Sequence, residues 1–259
     1  WKYLYEPFIR KSAGLGRAPV EKDKSQYEHF YAFYDFVIVG GGIAGLNAAK
    51  VAAASGKRIL LMEQTAKWGG RAPVDEQIFQ SEVVDKFVEE TVENLKSLPN
   101  VTLRTRMMGA GIYDHGYLIG YERLTDHDPN SLGPRHRLWR IRAGHIITAT
   151  GAIERPLVFA ENDKPGIFLA SALRDYLIDY GVCLGKKTVV VTNNDDAYLT
   201  AIVAKNSGIE VPAIIDSRKG GAGELGEIAR SIGIRVETGK GIARVHGGKF
   251  VTGVAVCLH

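Results

Sequence analysis

The stretch "DFVIVGGGIAGLNAAKVAAASGKRILLME", residues 35–63, constrains this chain more than any other. An apolar run over 35–40 predicts a buried strand. It enters a glycine-rich turn, an alanine-rich helix over 43–55 and a second apolar strand over 58–63. Together these form a βαβ unit, which commits the chain to a parallel sheet with a crossover helix. Gly40, Gly42 and Gly45 stand in G-x-G-x-x-G spacing. Between a strand and a helix, that spacing marks a dinucleotide site. Gly40 permits the tight turn. Gly42 puts no Cβ in the way of a pyrophosphate, and Gly45 lets the helix lie close on the strand. The helix N-terminus offers free N–H groups and partial positive charge to the phosphates. Glu63 lies 18 residues past Gly45, near the ~20 expected for a ribose-binding carboxylate. A carboxylate there favours a free 2′-hydroxyl, so NAD or FAD fits better than NADP.

The segments that follow fill out an α/β chain. "KWGG", 67–70, brings a second glycine pair, ending at Gly70, close to the nucleotide. Residues 80–98 carry Val83, Val84, Phe87, Val88, Val92 and Leu95 at helical spacing, and "PNVTLRTRMMGA" returns as a third strand. "GIYDHGYLIGYERL" and "HRLWRIRA", joined by "TDHDPNSLGPRH", read as an antiparallel meander. "GHIITATGA", 144–152, reads as another buried strand, ending at Thr150 and Gly151. Residues 1–34 alternate aromatic and charged residues and read as an extended arm over a partner surface or as a linker.

A second strand–turn–helix unit begins at "VVVTNNDDAYLTAIVAKNSG", 189–208. Its turn carries Thr192, Asn193, Asn194, Asp195 and Asp196 in place of glycines. A phosphate loop needs N–H donors and no competing anions, and two like charges at ~4 Å repel by about 4 kcal/mol at an effective dielectric near 20. Asn194 or Asp195 is better read as a helix cap, with the carboxylates favoured by the positive helix end. The alternative is that the acids bind a cationic partner segment. In either reading the second unit keeps a nucleotide-type fold, has lost its nicotinamide nucleotide, and does not deliver hydride from NAD(P)H.

Composition excludes several classes. The net charge of +4 is too small and scattered for nucleic acid. The most apolar stretch, 36–56, contains Asn47, Lys50 and the glycine loop, which makes a poor membrane span. The two cysteines, Cys183 and Cys257, form no metal or disulfide pattern and fit a reducing, cytoplasmic setting. The seven histidines show no metal-ligand spacing, and His127 and His136 read as surface residues flanking a loop. No catalytic nucleophile or metal site is expected. Arg135, Arg137, Arg140 and Arg142 read as a solvated strand face, with an anionic partner as the alternative. Arg155 reads as pairing with Glu154 or Asp163, or as touching a flavin phosphate.

"GAIERPLVFAENDKPGIFLASALRDYL" (151–177), "TNNDDAY" (192–198), "WKYLYEPFIRKSAGLG", "GYERLTDH" and "RLWRIRA" carry a family resemblance. Over residues 1–218 the chain resembles the alpha subunits of heterotetrameric sarcosine oxidases and the related amine and proline dehydrogenase large subunits. The resemblance implies a two-dinucleotide-binding-domain flavoprotein fold. It implies an arm over 1–34, a first dinucleotide domain over 35–151 and a second, inserted one over 152–259. It implies NAD, or alternatively FAD, in the first site. FMN would lie at a subunit interface and FAD in a smaller partner subunit that oxidises the amine. Carried over by motif position, Ala44, Glu63, Gln64, Thr65 and Arg71 approach the cofactor, and Met107 lies near the adenine. Ile43 stands where such loops often have Pro. The chain opens without Met and stops at "VAVCLH", before a returning strand or a folate domain, and so reads as a piece of something longer. A different class of function, a non-redox scaffold stabilised by a nucleotide, fits the same loop.

Overall fold

The computed structural model describes residues 1–16, 20–76 and 83–258. Its larger sheet has six strands, β1 (Tyr27–Val39), β2 (Ile59–Met62), β3 (Val101–Arg104), β4 (Met107–Tyr113), β5 (Tyr117–Arg123) and β6 (His136–Thr148). Their order is β3-β2-β1-β6-β5-β4. The first four run parallel and the β6-β5-β4 portion is an antiparallel meander. Helices α2 (Ile43–Ala53) and α4 (Val83–Lys96) cover one face, where Leu46, Ala49, Val92 and Leu95 pack on Ile38, Ile59 and Leu61. The opposite face buries Val37, Val39, Leu60 and Met62 against Met107, Leu118, Trp139 and Ile141 of the meander. Burial on both faces explains why β1 and β2 end in unbroken apolar runs rather than alternating ones. The Trp139 indole donates at 2.7 Å to the buried Glu122, so neither polar group in that core is orphaned.

Four features differ from the sequence reading. β1 begins at Tyr27 rather than near residue 35, because β6 pairs with it in register from Tyr27↔His136 to Val39↔Thr148. Where an extended arm is expected, α1 (Tyr5–Ser12) forms, with no residue buried. The expected third strand splits into β3 and β4 at Arg106, which takes a positive φ of 56°. The meander strand at 137–143 and the strand at 144–148 are one continuous β6. The start of the expected 80–98 helix, part of the arm and His259 lie outside the described residues.

Strand parity also divides the arginines expected on one face. Arg140 and Arg142 project outward and lie over the Tyr31 and Tyr117 rings, at 5.2 and 4.8 Å. Arg137 has the opposite parity and pairs with Glu28 at 2.5 Å and Glu122 at 3.4 Å. Arg135 precedes the strand. His136 is half-buried, its Nδ1 2.7 Å from the Tyr121 hydroxyl, whereas His127 is exposed.

A second, three-stranded parallel sheet follows: β7 (Lys187–Thr192), β8 (Glu210–Asp216) and β9 (Arg235–Thr238). It packs with α5 (Ala170–Tyr180), α6 (Asp196–Asn206) and α7 (Glu224–Ser231), and β10 (Lys240–His246) and β11 (Gly253–Leu258) form a hairpin beside it. Helix α6 is the hub. Tyr198, Ala201 and Ala204 face Val211, Ile214 and Ala229, while Ile202 and Val203 face a second cluster. Its small residues let two layers approach it, which accounts for its lack of a polar face. Among the described residues no helix is long and apolar enough to cross a membrane.

Asp216, fully buried at the end of β8, accepts from the Tyr198 hydroxyl at 2.9 Å. It also accepts from the Arg218 N–H, Nε and Nη2 at 2.9, 3.1 and 2.7 Å. Burial alone raises its pKa, but the bonds from Arg218 and Tyr198 outweigh burial and hold the carboxyl below its usual range. Burial and the Asp216 carboxylate push the Tyr198 phenol up to about 12. A carboxyl depressed on folding stabilises above its unfolded pKa, about 3.9, and that stability fades as pH falls through the folded value. Asp216→Asn is therefore expected to lower unfolding free energy by about 2 kcal/mol at pH 7. The gap from the parent should narrow below about pH 4, as read by denaturant titration across pH.

Candidate dinucleotide site

The turn between β1 and α2 is built from two close backbone approaches. Gly40 has φ +108°, and a Cβ there would lie 2.2 Å from the Ala149 carbonyl oxygen. A Cβ on Gly45 would lie 1.8 Å from the Gly40 carbonyl oxygen. Both positions need glycine for the fold itself. Gly42 differs. Its φ of −73° and ψ of −176° suit any residue, and a Cβ would meet nothing nearer than 3.9 Å, at the Gly69 oxygen and the Gly70 Cα. Its missing side chain therefore serves the space in front of it rather than the backbone. The N–H groups in the first turn of α2, Ile43 and Ala44 among them, have no carbonyl four residues back within the helix. No side chain caps this helix. The result is a cradle of glycine backbone facing a positive helix end, which fits a pyrophosphate.

The second glycine pair forms the other wall. Gly69 bridges to Gly42, and its N–H donates to the Gly41 oxygen at 2.9 Å. A Cβ on Gly70 would come 3.2 Å from the Gly42 Cα, narrowing the cradle. Trp68 lies so close on Gly41 that a Cβ there would reach its ring at 2.5 Å. The sequence reading used the glycines of "KWGG" and missed this tryptophan, which clamps the loop. Glu63 is buried, and its Oε2 and Oε1 accept from the Gly41 and Thr65 N–H groups at 2.7 and 2.8 Å. Each oxygen keeps a free lone pair, and the carboxylate is held facing the loop. Gln64 and Thr65 are exposed on the rim, and the Gln64 carbonyl accepts from Arg123 at 3.0 Å. Ala44 is exposed on the first turn of α2. Thr150 and Gly151 are exposed just past Ala149, whose N–H donates to the Val39 oxygen at 2.8 Å.

Two residues named from the resemblance make contacts within the chain. Only the backbone of Met107 reaches the second-strand end, where its N–H donates to the Glu63 carbonyl at 2.8 Å. Its side chain is buried in the core against Met62 and Gly120, because Met107 has inward parity on β4. The Arg71 guanidinium turns to α5 and binds both oxygens of Asp175, at 2.8 and 2.9 Å. No local pattern announces that pairing, since the two residues lie 104 positions apart.

The second loop draws its cations from within the chain. Asp195 pairs with Arg218 at 2.7 Å, and Asp196 with Arg174 at 2.8 Å. The nearest cations to both acids come from this chain, with Arg218 shared between Asp195 and Asp216. Asp195 holds the N-cap position without a side-chain bond, and Asn194 supplies one, accepting from the Ala197 N–H at 3.4 Å. Both oxygens of Glu154 accept from the first N–H groups of α5, at 3.2 and 2.7 Å. Arg155 is left exposed beside a cavity of about 380 Å³ lined by Thr192, Asn193 and Asn194.

Comparison with known proteins agrees with this fold. Residues 34–254 match the family described as pyridine nucleotide-disulphide oxidoreductase. The chain is 38% identical to the sarcosine oxidase subunit alpha of Rhizobium meliloti (strain 1021), over 97% of this chain and 26% of the relative. It is 41% identical to that of Corynebacterium sp. (strain P-1), over 87% of this chain and 24% of the relative. It thus spans about a quarter of the length of these curated relatives. Its fold matches the crystal structure of L-proline dehydrogenase from P. horikoshii with a TM-score of 0.55, at 22% identity, covering 92% of this chain and 41% of that one. The chain has the two-dinucleotide-domain flavoprotein fold and belongs to the pyridine nucleotide-disulphide oxidoreductase family.

Proposed function

We propose that this chain is the dinucleotide-binding, alpha-type portion of a multisubunit flavin-dependent sarcosine oxidase. The observation that carries the reading is the Gly42–Gly70 cradle at the N-terminus of α2, with Glu63 held beside it. NAD is the dinucleotide of this reading, with FAD as the alternative. The first-turn N–H groups of Ile43 and Ala44 hold its pyrophosphate, Glu63 accepts from a ribose hydroxyl, and Gln64 and Thr65 line the adenosine rim. Thr150 and Gly151 border the floor. NAD here is a structural ligand. Flavins supply the redox chemistry, FMN at the interface with a partner and FAD within a smaller subunit that oxidises the amine. The similarity to sarcosine oxidase alpha subunits supports this division. The second loop supports it too, since it carries acids paired with Arg174 and Arg218 where a phosphate loop carries glycines. Residues 35–151 and 152–259 act in this reading as two nucleotide-type domains.

Heat release of the ligand, followed by an absorbance scan and mass spectrometry, tests the assignment. One NAD per chain without a visible flavin band is the expected result. Stoichiometric FAD would move the chain toward a flavin-bearing alpha subunit, and an empty site would refute the dinucleotide reading. Glycine substitutions separate binding from folding. Gly42→Val is expected to fold with near-parent stability and to lose at least 100-fold in NAD affinity, as read by calorimetry. Gly45→Val is expected to cost about 2 kcal/mol or more in stability, because its Cβ collides with backbone.

A further inference from the structure

The first glycine cradle and the second loop are joined by one chain of ion pairs. Arg71 directly follows Gly70 and binds Asp175 of α5 through both oxygens. Asp75, on the short helix α3 (Ala72–Glu76), stands with its Oδ1 3.5 Å from Arg71 Nη2 and 3.5 Å from Arg174 Nε. Arg174 is only 1% exposed and reaches on to Asp196 at the start of α6, at 2.8 and 3.0 Å. The middle of the chain is incompletely made. Arg71 Nη2, Asp75 Oδ1, and Arg174 Nε and Nη1 are buried without a hydrogen-bond partner. Buried guanidinium donors strongly favour being bonded. Asp75 Oδ1 lies 3.5 Å from two of them, just beyond normal hydrogen-bond range.

We propose that Asp75 and Arg174 form a latch between the two nucleotide-type units, tightened when a dinucleotide seats on the first site. The inference rests on the dinucleotide reading of the Gly42 cradle. Gly69 is bridged to Gly42, and α3 begins two residues past Gly70. A pyrophosphate seated on Gly42 orders the Gly69–Arg71 turn, and with it the placement of Asp75 toward Arg174. Tightening the latch seats α5 and the start of α6 against the first unit. The acids of the degenerate loop thereby acquire a role: Asp196 anchors the far end of the link. Coupling is reciprocal, so a latch that tightens on binding also strengthens binding.

Hydrogen exchange of the purified protein, with and without saturating NAD and then FAD, tests the latch. Calorimetry of the same samples establishes occupancy. Amides of α5, residues 170–180, are expected to exchange at least tenfold more slowly with the dinucleotide bound. Asp75→Asn is nearly isosteric and half-exposed. It should abolish that slowing and weaken binding about tenfold. Asp179→Asn, which removes only the long contact to Lys67 at 3.9 Å, should leave both unchanged. Confirmed binding with unchanged exchange in α5 overturns the latch and spares the site. Equal effects of Asp75→Asn and Asp179→Asn overturn it as well. Failure of both NAD and FAD to bind overturns the site and the latch together.

Discussion

The contact between Gly45 and the Gly40 carbonyl, too close for any side chain, sets the geometry on which the rest depends. It presses α2 onto the end of β1 and aims the helix N-terminus at the turn. Gly40, with its positive φ, then lies under Ala149, which draws the end of β6 beneath the loop. Glu63 closes the arrangement from the neighbouring strand by accepting the Gly41 N–H. Three strand ends and one helix end thus meet at a point, and Gly42 is the glycine of the turn at which an added Cβ would meet no close neighbour.

The second unit shows what the same topology does with different turn chemistry. Its strand, turn and helix follow the same path, but the turn carries carboxylates. Asp195 and Asp216 share Arg218, and Asp196 takes Arg174. Arg218 serves two carboxylates and both loop acids stay more than half exposed, so the turn keeps negative charge that disfavours a phosphate. The helix dipole still favours these acids, so the turn remains stable after losing its glycines. Divergence of the two loops therefore reflects different electrostatic partners rather than a different fold.

Much of this was legible from local pattern. The βαβ unit, the close backbone approaches at Gly40 and Gly45, the place of Glu63 and the anomaly of the second loop all follow from residues close in sequence. What escaped was long-range. The extent of β1 depends on pairing with β6 more than a hundred residues away. The pairing of Arg71 with Asp175 cannot be read from the position of Arg71 beside the glycine pair. Strand parity turns the Met107 side chain into the core while its backbone stays beside Glu63. Arg137 and His136 were read as surface residues although their partners, Glu28 and Tyr121, make them half-buried. Parity within a strand is readable in principle, and applying it to Arg137, Trp139 and Ile141 together would have separated Arg137 from Arg140 and Arg142.

The central claim is that the two nucleotide-type units are unequal, one open to a dinucleotide and one closed by its own ion pairs. Titration calorimetry of ligand-free protein with NAD, and separately with NADPH, tests it most directly. The account predicts one NAD per chain and no heat of binding for NADPH. Two NAD per chain, or tight binding of NADPH, would contradict it.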